Sequence, residues 1–334
     1  MTVPPIAIAL LDALEEPTLL VSGERTVAAN PAARSLLGEG LVGQNIRLAI
    51  RQPQALDAIL AGGDRKLEVL GIGSIDRSWL VRIKRLDPGL LLVRLTDQSA
   101  RRATERAQVD FVANASHELR TPLASVLGYS ETLADDAPLD DETRRRFGEQ
   151  IQVQAERMLA IIRDLMGLSR IEAGRFAVLK TGVSLPELVR EAATAAEALA
   201  RERSCAIQLA LADPLPAVSG DPAQLRQLVD NLLHNALRYG CRPGTEAQVE
   251  VSLEQDGRWQ RLLVRDHGEG IAARHIPRLT ERFYRVDAAR SRDSGGTGLG
   301  LAIVRQIVER HRGQLEIRSR VGQGTEVEIR LPQG

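Results

Sequence analysis

The sequence predicts a multidomain α+β protein built from three consecutive domains. Short β-rich runs separated by turn residues occupy residues 1–97, and two long heptad seams occupy residues 98–178. Strand-like runs alternating with glycine-rich loops occupy residues 179–334. With 334 residues, the chain is long enough for each domain to bury its own core. We therefore expect a small α/β domain, a helical hairpin and a second α/β domain, in that order.

The overall composition is that of a globular protein and excludes several classes. Hydrophobic residues make up 43% and charged residues 26% of the chain, which argues against wholesale disorder. The net charge is zero and aromatic residues are only 3%, so no nucleic-acid partner is predicted. No run approaches the roughly 18 apolar residues that span a bilayer, so we predict no transmembrane segment in this chain. We expect a cytoplasmic protein, or the soluble part of a membrane-anchored parent.

The two cysteines, Cys205 and Cys241, lie far apart and show no paired spacing. Neither a disulfide framework nor a zinc site is therefore predicted. Reduced thiols are the expected state, as in most cytosolic proteins.

The first domain alternates strand-like runs with two helix-like segments, residues 31–37 and 53–60. Turn residues such as Gly23 separate the runs. The strand-like runs are residues 18–21, 66–70, 78–83 and 90–95. This alternation predicts a mixed α/β module.

The second domain carries the heptad seams of a helical hairpin. Along the first helix, apolar or small residues recur in steps of three and four at Val109, Val112, Ser116, Leu119, Leu123, Val126, Ser130 and Leu133. After an interruption at residues 134–141, a second seam follows at Phe147, Ile151, Gln154, Met158, Ile161, Leu165 and Leu168. Two such narrow seams cannot cover each other completely. We therefore predict a homodimer in which two hairpins form a four-helix bundle.

His117 directly follows the seam position Ser116, so its imidazole is expected to point from the flank of the bundle toward solvent. A neutral imidazole is a usable nucleophile near pH 7, and Glu118 beside it can accept a proton. Pro122 lies one turn later, where it removes a helical hydrogen bond at a cost of about 3 kcal/mol. For the His-Glu pair alone, an ordinary solvated histidine is the simpler interpretation, but that interpretation does not explain the proline.

A polar helix face is predicted around residues 230–239. Asn231, Asn235 and Arg238 stand at positions i, i+4 and i+7, next to an apolar face. Carboxamide oxygens suit Mg²⁺, which usually reaches a protein together with phosphate groups. Two asparagines on one helix face are common, so this segment alone is weak evidence for a Mg²⁺ or phosphate site and has to be considered together with the other motifs.

Two glycine-rich loops follow. A strand runs into Asp266-His-Gly268-Glu-Gly270, where the carboxylate can accept a hydrogen bond from an exocyclic amine and the glycines let the backbone approach a flat base. Residues 296–300 open a helix whose positive N-terminus and backbone amides suit a polyphosphate. This loop lacks the Gly-Lys-Ser/Thr of a P-loop, and no βαβ unit precedes it as in dinucleotide-binding folds.

The charged stretch 286–294 is expected to form a lid, although an ordinary surface loop has the same composition.

Taken in order, these segments resemble the motifs of bacterial sensor histidine kinases of two-component systems. The matching segments are residues 117–122 (H box), 231–239 (N box), 266–270 (G1 box), Phe283 (F box), 296–300 (G2 box) and 322–325 (the last glycine motif). The resemblance covers residues 98–334, and the ordered occurrence of the motifs makes it specific.

The resemblance implies a role for each matching residue. His117 would be the phospho-acceptor, Glu118 its base, and Thr121 a residue that helps to remove phosphate from the partner. Asn235, together with Asn231, would hold Mg²⁺. The ATP site would be lined by Asn231, Asn235, Arg238, Tyr239, Asp266, Gly268, Gly270, Phe283, Arg285, Gly296, Thr297, Gly298, Leu299, Gly300 and Thr325. Within this set, Asp266 would recognise adenine and Arg285 would contact the phosphates.

The resemblance also implies a fold and partners. It predicts a PAS-like sensor domain in residues 1–97, a dimerisation and histidine-phosphotransfer hairpin in residues 98–178, and an α/β sandwich ATP-binding domain of the GHKL type in residues 179–334. The layout is most similar to phosphate-regulon sensor kinases. Such a protein would phosphorylate His117 from Mg-ATP, pass the phosphoryl group to an aspartate of a response regulator, and also dephosphorylate that regulator. Nothing in the first domain identifies its small-molecule or protein input.

Two other functions fit part of the sequence. A non-kinase ATPase of the same nucleotide fold needs no phospho-histidine, yet His117 lies within a heptad hairpin. Such a hydrolase would also need a carboxylate to activate water where Asn231 stands. A degenerate kinase acting as a dimeric scaffold would lack some of the motif residues, and all of them are present.

Overall fold

The computed structural model describes residues 4–135, 139–173, 181–241, 247–286 and 296–333. The chain divides into two compact units, residues 1–110 and 111–334. Apart from Val286, the predicted lid lies outside the described residues, as does Pro138 of the predicted hairpin turn. Among the helices that are described, none combines the length and the apolarity that crossing a membrane requires.

The N-terminal unit is built on a five-stranded antiparallel sheet with the strand order β2-β1-β5-β4-β3. The strands are β1 (Thr18–Ser22), β2 (Arg25–Ala29), β3 (Arg65–Leu70), β4 (Ser78–Asp87) and β5 (Leu90–Asp97). The helices are α1 (Pro5–Asp12), α2 (Pro31–Leu37), α3 (Ile46–Ala49) and α4 (Pro53–Ala61). The four strands and two helices predicted in this unit are present. Strand β2 and helix α1 are absent from the sequence prediction because each is short and lacks a clear period.

A buried asparagine fixes the junction between the first strands and α2. The Asn30 side chain accepts hydrogen bonds from the backbone amides of Thr18 and Ala33, at 3.0 and 2.9 Å. Its amide donates to the carbonyl oxygens of Leu14 and Glu16, at 2.8 and 2.9 Å. All of its hydrogen-bonding capacity is used within the fold, so Asn30 is a structural residue.

Two long helices, α5 (Ser99–Ala134) and α6 (Asp141–Ala173), form the predicted hairpin. They run antiparallel, because Tyr129 near the end of α5 stacks on Phe147 near the start of α6, with ring centroids 5.2 Å apart. Ile161 and Leu168 of the second predicted seam are buried. Helix α5 continues through Pro122, whose ring is also buried. The helix prediction from the heptad pattern is therefore confirmed.

The remaining part of the C-terminal unit is a sheet covered by helices. The sheet has the order β11-β12-β10-β9-β7 and pairs antiparallel except for β7 with β9, while β6 and β8 form a separate ribbon. Its strands are β6 (Thr181–Val183), β7 (Cys205–Leu211), β8 (Val218–Gly220), β9 (Ala247–Asp256), β10 (Trp259–Asp266), β11 (Gln314–Arg320) and β12 (Gly324–Pro332). The helices are α7 (Leu185–Glu202), α8 (Pro222–Gly240) and α9 (Gly300–Arg310). Alternate residues of β9 and β10 are buried with the apolar faces of these helices, which makes one core.

The start of α8 is fixed by a cap and by a buried histidine. The Asp221 side chain accepts hydrogen bonds from the amides of Ala223 and Gln224, at 3.0 and 3.2 Å. The Asp221 amide donates to Nε2 of His311, at 3.1 Å, while Nδ1 of His311 lies 2.7 Å from the Ile307 carbonyl oxygen. Nε2 must therefore be the unprotonated nitrogen and Nδ1 the donor. Burial lowers the pKa of His311 below its usual range.

This arrangement predicts an acid-sensitive anchor for α8. A histidine whose folded pKa is depressed stabilises the fold above its unfolded pKa of about 6.5, and this contribution is lost as pH falls toward the folded value. We expect the free energy of unfolding to decrease from pH 7 to pH 5, and to decrease less in His311→Gln. Chemical denaturation across this pH range measures the difference. An equal pH dependence in both proteins would contradict the anchor.

The prediction of reduced thiols is wrong, because Cys205 and Cys241 form a disulfide in the structure. Cys205 begins β7 and Cys241 directly follows α8, and their Cα atoms are 5.9 Å apart. The parallel pairing of β7 with β9 requires a crossover, which α8 provides, and the crossover brings the two ends together. A separation of 36 residues carries no local signal of this contact.

Candidate functional site

The predicted phospho-acceptor, His117, lies on the exposed side of α5 near the middle of the helix. The hydroxyl of Thr121, one turn later, donates to the His117 carbonyl oxygen at 3.3 Å. Pro122 has no amide to donate to the carbonyl of Glu118. The segment therefore presents an accessible imidazole on a continuous helix, with a polar side chain on the next turn.

Glu118, the predicted base, is held by two arginines. Its Oε2 lies 3.2 Å from Nη2 of Arg157 on α6 and 3.5 Å from Nη1 of Arg285. The two arginine side chains are only 9% and 7% exposed, whereas that of Glu118 is 28% exposed. Arg285 is thus placed beside the phospho-acceptor helix in this structure, although the sequence assigns it to the phosphates.

Helix α8 presents the two predicted magnesium ligands to the start of α9. A β-carbon built on Gly300 would lie 3.3 Å from Oδ1 of Asn231 and 3.7 Å from Nδ2 of Asn235. Within the described part of the chain, Nδ2 of Asn231 is buried without a hydrogen-bond partner. An unsatisfied buried amide is unfavourable, so this group is available to donate to a water molecule or a ligand. A phosphate oxygen could accept from this group, while amide oxygens suit Mg²⁺.

Asp266 lies at the end of β10 and is 7% exposed. Its Oδ1 accepts hydrogen bonds from the amides of Gly268, at 2.9 Å, and Thr325, at 3.2 Å. Burial raises the pKa of this carboxyl, and the two backbone hydrogen bonds partly oppose the rise. Both hydrogen bonds use Oδ1, so among the described residues Oδ2 remains available to accept from a ligand.

Glycines let the backbone close around Asp266. A β-carbon on Gly240 would collide with the Asp266 side chain, and one on Gly268 would collide with the Tyr239 carbonyl oxygen. Gly270 has a φ of +66° and packs against the backbone of Arg320. Gly240 and Asn231 are nine residues apart on α8, a separation of about 14 Å along the helix axis. Helix α8 thus connects Asp266, the predicted adenine-recognition residue, with Asn231 and Asn235, the predicted Mg²⁺ ligands.

The F box residue and the G2 loop pack together and against the hairpin. The Phe283 amide donates to the Gly298 carbonyl oxygen at 2.8 Å, and the Phe283 ring lies 5.8 Å from that of Phe111. The Thr297 hydroxyl donates to Oδ2 of Asp164 on α6 at 2.7 Å and also caps the Leu299 amide. Burial raises the pKa of Asp164. The predicted nucleotide loop is therefore docked on the hairpin through residues that are also predicted to line the ATP site.

The structure thus brings several of the predicted site residues into contact with one another. Asn231 and Asn235 meet Gly300, Asp266 meets Gly268 and Thr325, and Phe283 meets Gly298. The Tyr239 side chain is 47% exposed, and Arg238 uses its carbonyl oxygen to accept from Arg203. Gly296 is buried at the edge of the described residues.

Sequence reasoning missed Arg157 and Asp164, which reach the site from α6. Each stands beside a position of the second apolar seam, Met158 and Leu165, and looks like an ordinary charged residue of a helix flank. Their position is the one signal in the sequence that could have identified them: each is a charged residue directly beside the second apolar seam, and that seam packs toward the helix with the H box.

Two family profiles match the chain in sequence order. The His Kinase A (phospho-acceptor) domain matches residues 107–174, and the histidine kinase-, DNA gyrase B- and HSP90-like ATPase matches residues 220–334. The two profiles define a phospho-acceptor hairpin followed by a GHKL-type ATPase fold. The chain belongs to the bacterial two-component sensor histidine kinases.

Relatives with curated names agree with this assignment. The phosphate regulon sensor protein PhoR of Pseudomonas aeruginosa is 41% identical over 238 residues, which is 71% of this chain and 52% of that protein. The sensor protein kinase WalK of Staphylococcus saprophyticus is 31% identical over 315 residues, 91% of this chain and 51% of that protein. The chain spans about half the length of these relatives.

Solved structures share the fold. Histidine kinase ThkA in complex with the response regulator protein TrrA matches with a TM-score of 0.56 and 18% identity, covering 98% of both chains. Histidine kinase AdeS of Acinetobacter baumannii matches with a TM-score of 0.50 and 23% identity, covering 65% of this chain and 98% of that one. At these identities the matches show the fold alone.

Proposed function

We propose that this chain is an ATP-dependent protein-histidine kinase that phosphorylates its own His117 and passes the phosphoryl group to an aspartate of a response regulator. The observation that carries the proposal is the presence, in one compact unit, of an exposed histidine beside a carboxylate and of a glycine-lined site with an orphaned Asn231 amide. Homology to PhoR and WalK sensor kinases supports it.

The ATP site would work through residues already positioned by α8 and β10. Oδ2 of Asp266 would accept a hydrogen bond from the exocyclic amine of adenine, and Asn231 and Asn235, which lie beside Gly300, would face the phosphates. Bound Mg²⁺ supplies charge neutralisation on the phosphate oxygens and would be held by these two amides. The close packing at Gly240, Gly268 and Gly270 keeps the base pocket narrow.

The phosphoryl transfer itself requires an accessible nucleophile and a base. One ring nitrogen of neutral His117 attacks the γ-phosphorus, and the bond from that phosphorus to the oxygen of the departing ADP breaks. The proton on the other ring nitrogen passes to Glu118. Thr121 lies one turn further along, so we also propose that this turn directs phosphate removal from the regulator.

A homodimer would complete the hairpin. Large apolar side chains remain exposed on both helices: Val112, Leu123, Leu127, Val153, Leu159, Ile162 and Met166. Exposed apolar side chains on both helices of a pair favour burial against a second copy. We propose that two hairpins pair into a four-helix bundle, as the phospho-acceptor domain match supports.

The N-terminal unit is proposed to be a PAS-like sensor. Its five-stranded antiparallel sheet places three short helices, α2 to α4, between the β1–β2 hairpin and β3, which supports this assignment. The proposed domains are residues 1–97, 98–178 and 179–334, in a cytoplasmic protein. The input at the N-terminal unit would be a small molecule or a protein.

Labelling with γ-³²P ATP and Mg²⁺ tests the proposed function. We expect the wild-type chain to retain label that is stable in alkali and lost in acid, as a phosphorus–nitrogen bond is. Adding the cognate response regulator should move the label to that protein. Release of inorganic phosphate without labelled protein would contradict the proposal and favour the non-kinase ATPase. Absence of both label and phosphate release would favour the degenerate scaffold.

A further inference from the structure

The carboxylate of Glu118 is held from the opposite helix of the hairpin by a nearly buried arginine. Arg157 is 39 residues further along the chain, on α6, and its Nη2 lies 3.2 Å from Oε2 of Glu118. Its side chain is 9% exposed, in contrast to Arg145 on the same helix, which is 83% exposed and pairs with Glu149 one turn away. Arg157 therefore differs from a solvated charge such as Arg145 on the same helix.

The contact is poorly explained as a device for stability. Burying a guanidinium is costly, and a buried ion pair often contributes no more to stability than apolar side chains of the same size. Arg157 is also incompletely satisfied, because its Nε is buried without a hydrogen-bond partner among the described residues. The one side-chain hydrogen bond that Arg157 makes in that part of the chain goes to Glu118. A function that needs the Glu118 side chain in one orientation would explain why a nearly buried arginine stands at position 157.

The two oxygens of Glu118 are not equivalent. The contacts from Arg157 and Arg285 both fall on Oε2, so within the described part of the chain Oε1 remains available to another donor. A glutamate on a helix surface otherwise samples several rotamers, and holding one oxygen restricts the position of the other. His117, the adjacent residue, carries the N–H that must lose its proton when the ring attacks phosphorus.

We propose that Arg157 is a positioning residue for phosphorylation of His117: it holds Oε2 of Glu118 so that Oε1 is presented to the imidazole N–H. The inference rests on the proposed kinase function. As the nitrogen–phosphorus bond forms and the phosphorus–oxygen bond to ADP breaks, the ring proton passes to Oε1. The contact from Arg157 comes from within the hairpin, so it can persist when the nucleotide-binding part moves.

Arg285 reaches the same oxygen from the segment that follows the F box. It lies 3.5 Å from Oε2 of Glu118 and belongs to the part of the chain that carries the ATP site. A residue that contacts phosphates in one state and Glu118 in another should influence ATP binding as well as the rate. Among the described residues, the Arg157 side chain hydrogen-bonds to Glu118 and not to a predicted ATP-site residue, so it should influence the rate alone. The two arginines can therefore be separated by kinetics.

The test is a double-mutant cycle between Arg157 and Glu118, measured on the full chain as the initial rate of autophosphorylation. For Arg157→Met we expect the rate at saturating ATP to fall about 10- to 100-fold, because a misplaced base loses its catalytic advantage. KM for ATP should stay within twofold, and Arg157→Lys should recover part of the rate. In a Glu118→Gln background, Arg157→Met should change the residual rate less than twofold. Arg145→Met is the matched control and should match wild type.

Several outcomes would overturn the inference. An equal loss from Arg157→Met in the wild-type and Glu118→Gln backgrounds would show that Arg157 acts through the fold and not through Glu118. An unchanged rate at saturating ATP, or a loss confined to KM, would also exclude a positioning role. Circular dichroism and thermal unfolding show whether Arg157→Met folds. If it does not, the double-mutant cycle with Glu118→Gln is measured with Arg157→Lys and Arg157→Gln instead. Failure of the wild-type chain to label would reject the kinase function itself, which is a separate result.

Discussion

Replacing Asp266 by asparagine is expected to weaken ATP binding by about 100-fold, which corresponds to about 2.7 kcal/mol. Asparagine can keep the two hydrogen bonds that Oδ1 receives from Gly268 and Thr325, so the fold should survive. The atom at the Oδ2 position, however, becomes an NH₂ group. A donor then faces the exocyclic amine of adenine, and a hydrogen bond to a charged group, worth about 1.5–3 kcal/mol, is lost.

Calorimetric titration with ATP or a non-hydrolysable analogue measures this change directly. Asp256→Asn is the matched control, because Asp256 lies exposed at the end of β9. The control should bind as wild type does. Equal affinity for wild type and Asp266→Asn would mean that adenine is recognised elsewhere.

Replacing Asn235 by alanine is expected to reduce autophosphorylation at saturating ATP and Mg²⁺ by about 100-fold or more. The change removes one of the two amides that face the start of α9, and with it a proposed Mg²⁺ ligand. Asp266 remains in place, so binding of free nucleotide in the presence of EDTA should change only a few fold. The difference between the two readouts distinguishes loss of metal from loss of the base pocket.

The same substitution at Asn45, in the N-terminal unit, provides the control. Asn45 caps the short helix α3 by accepting a hydrogen bond from the Arg47 amide, far from α8 in sequence. Asn45→Ala should label at the wild-type rate. Full labelling of Asn235→Ala at low Mg²⁺ concentration would contradict the assigned role.

Periodic features of the sequence predicted the elements well, because periodicity reports which face of an element is buried. The steps of three and four residues around Leu119 and Ile161 gave α5 and α6, and the i, i+4 spacing of Asn231 and Asn235 put both amides on one face of α8. The strand-then-glycine pattern at Asp266 likewise placed a carboxylate at the end of β10. Each of these features depends on neighbours within one element.

Contacts between elements could not be predicted in the same way. The Cys205–Cys241 disulfide depends on the crossover from β7 through α8 to β9, and no local pattern records where that crossover ends. The pairs Glu118 with Arg157 and Thr297 with Asp164 join residues 39 and 133 positions apart. Charged residues beside an apolar seam are ordinary in sequence, and only packing shows which of them is buried.

The most direct test of the kinase function is to locate the phosphoryl group. The chain is incubated with Mg-ATP, digested under alkaline conditions and analysed by mass spectrometry, in parallel with a His117→Gln variant whose ATP affinity is measured separately. We predict phosphate on His117 in the wild type, none in His117→Gln, and equal ATP affinity in the two proteins. Phosphate on another residue, or undiminished incorporation in His117→Gln, would contradict the assignment of His117 as the phospho-acceptor.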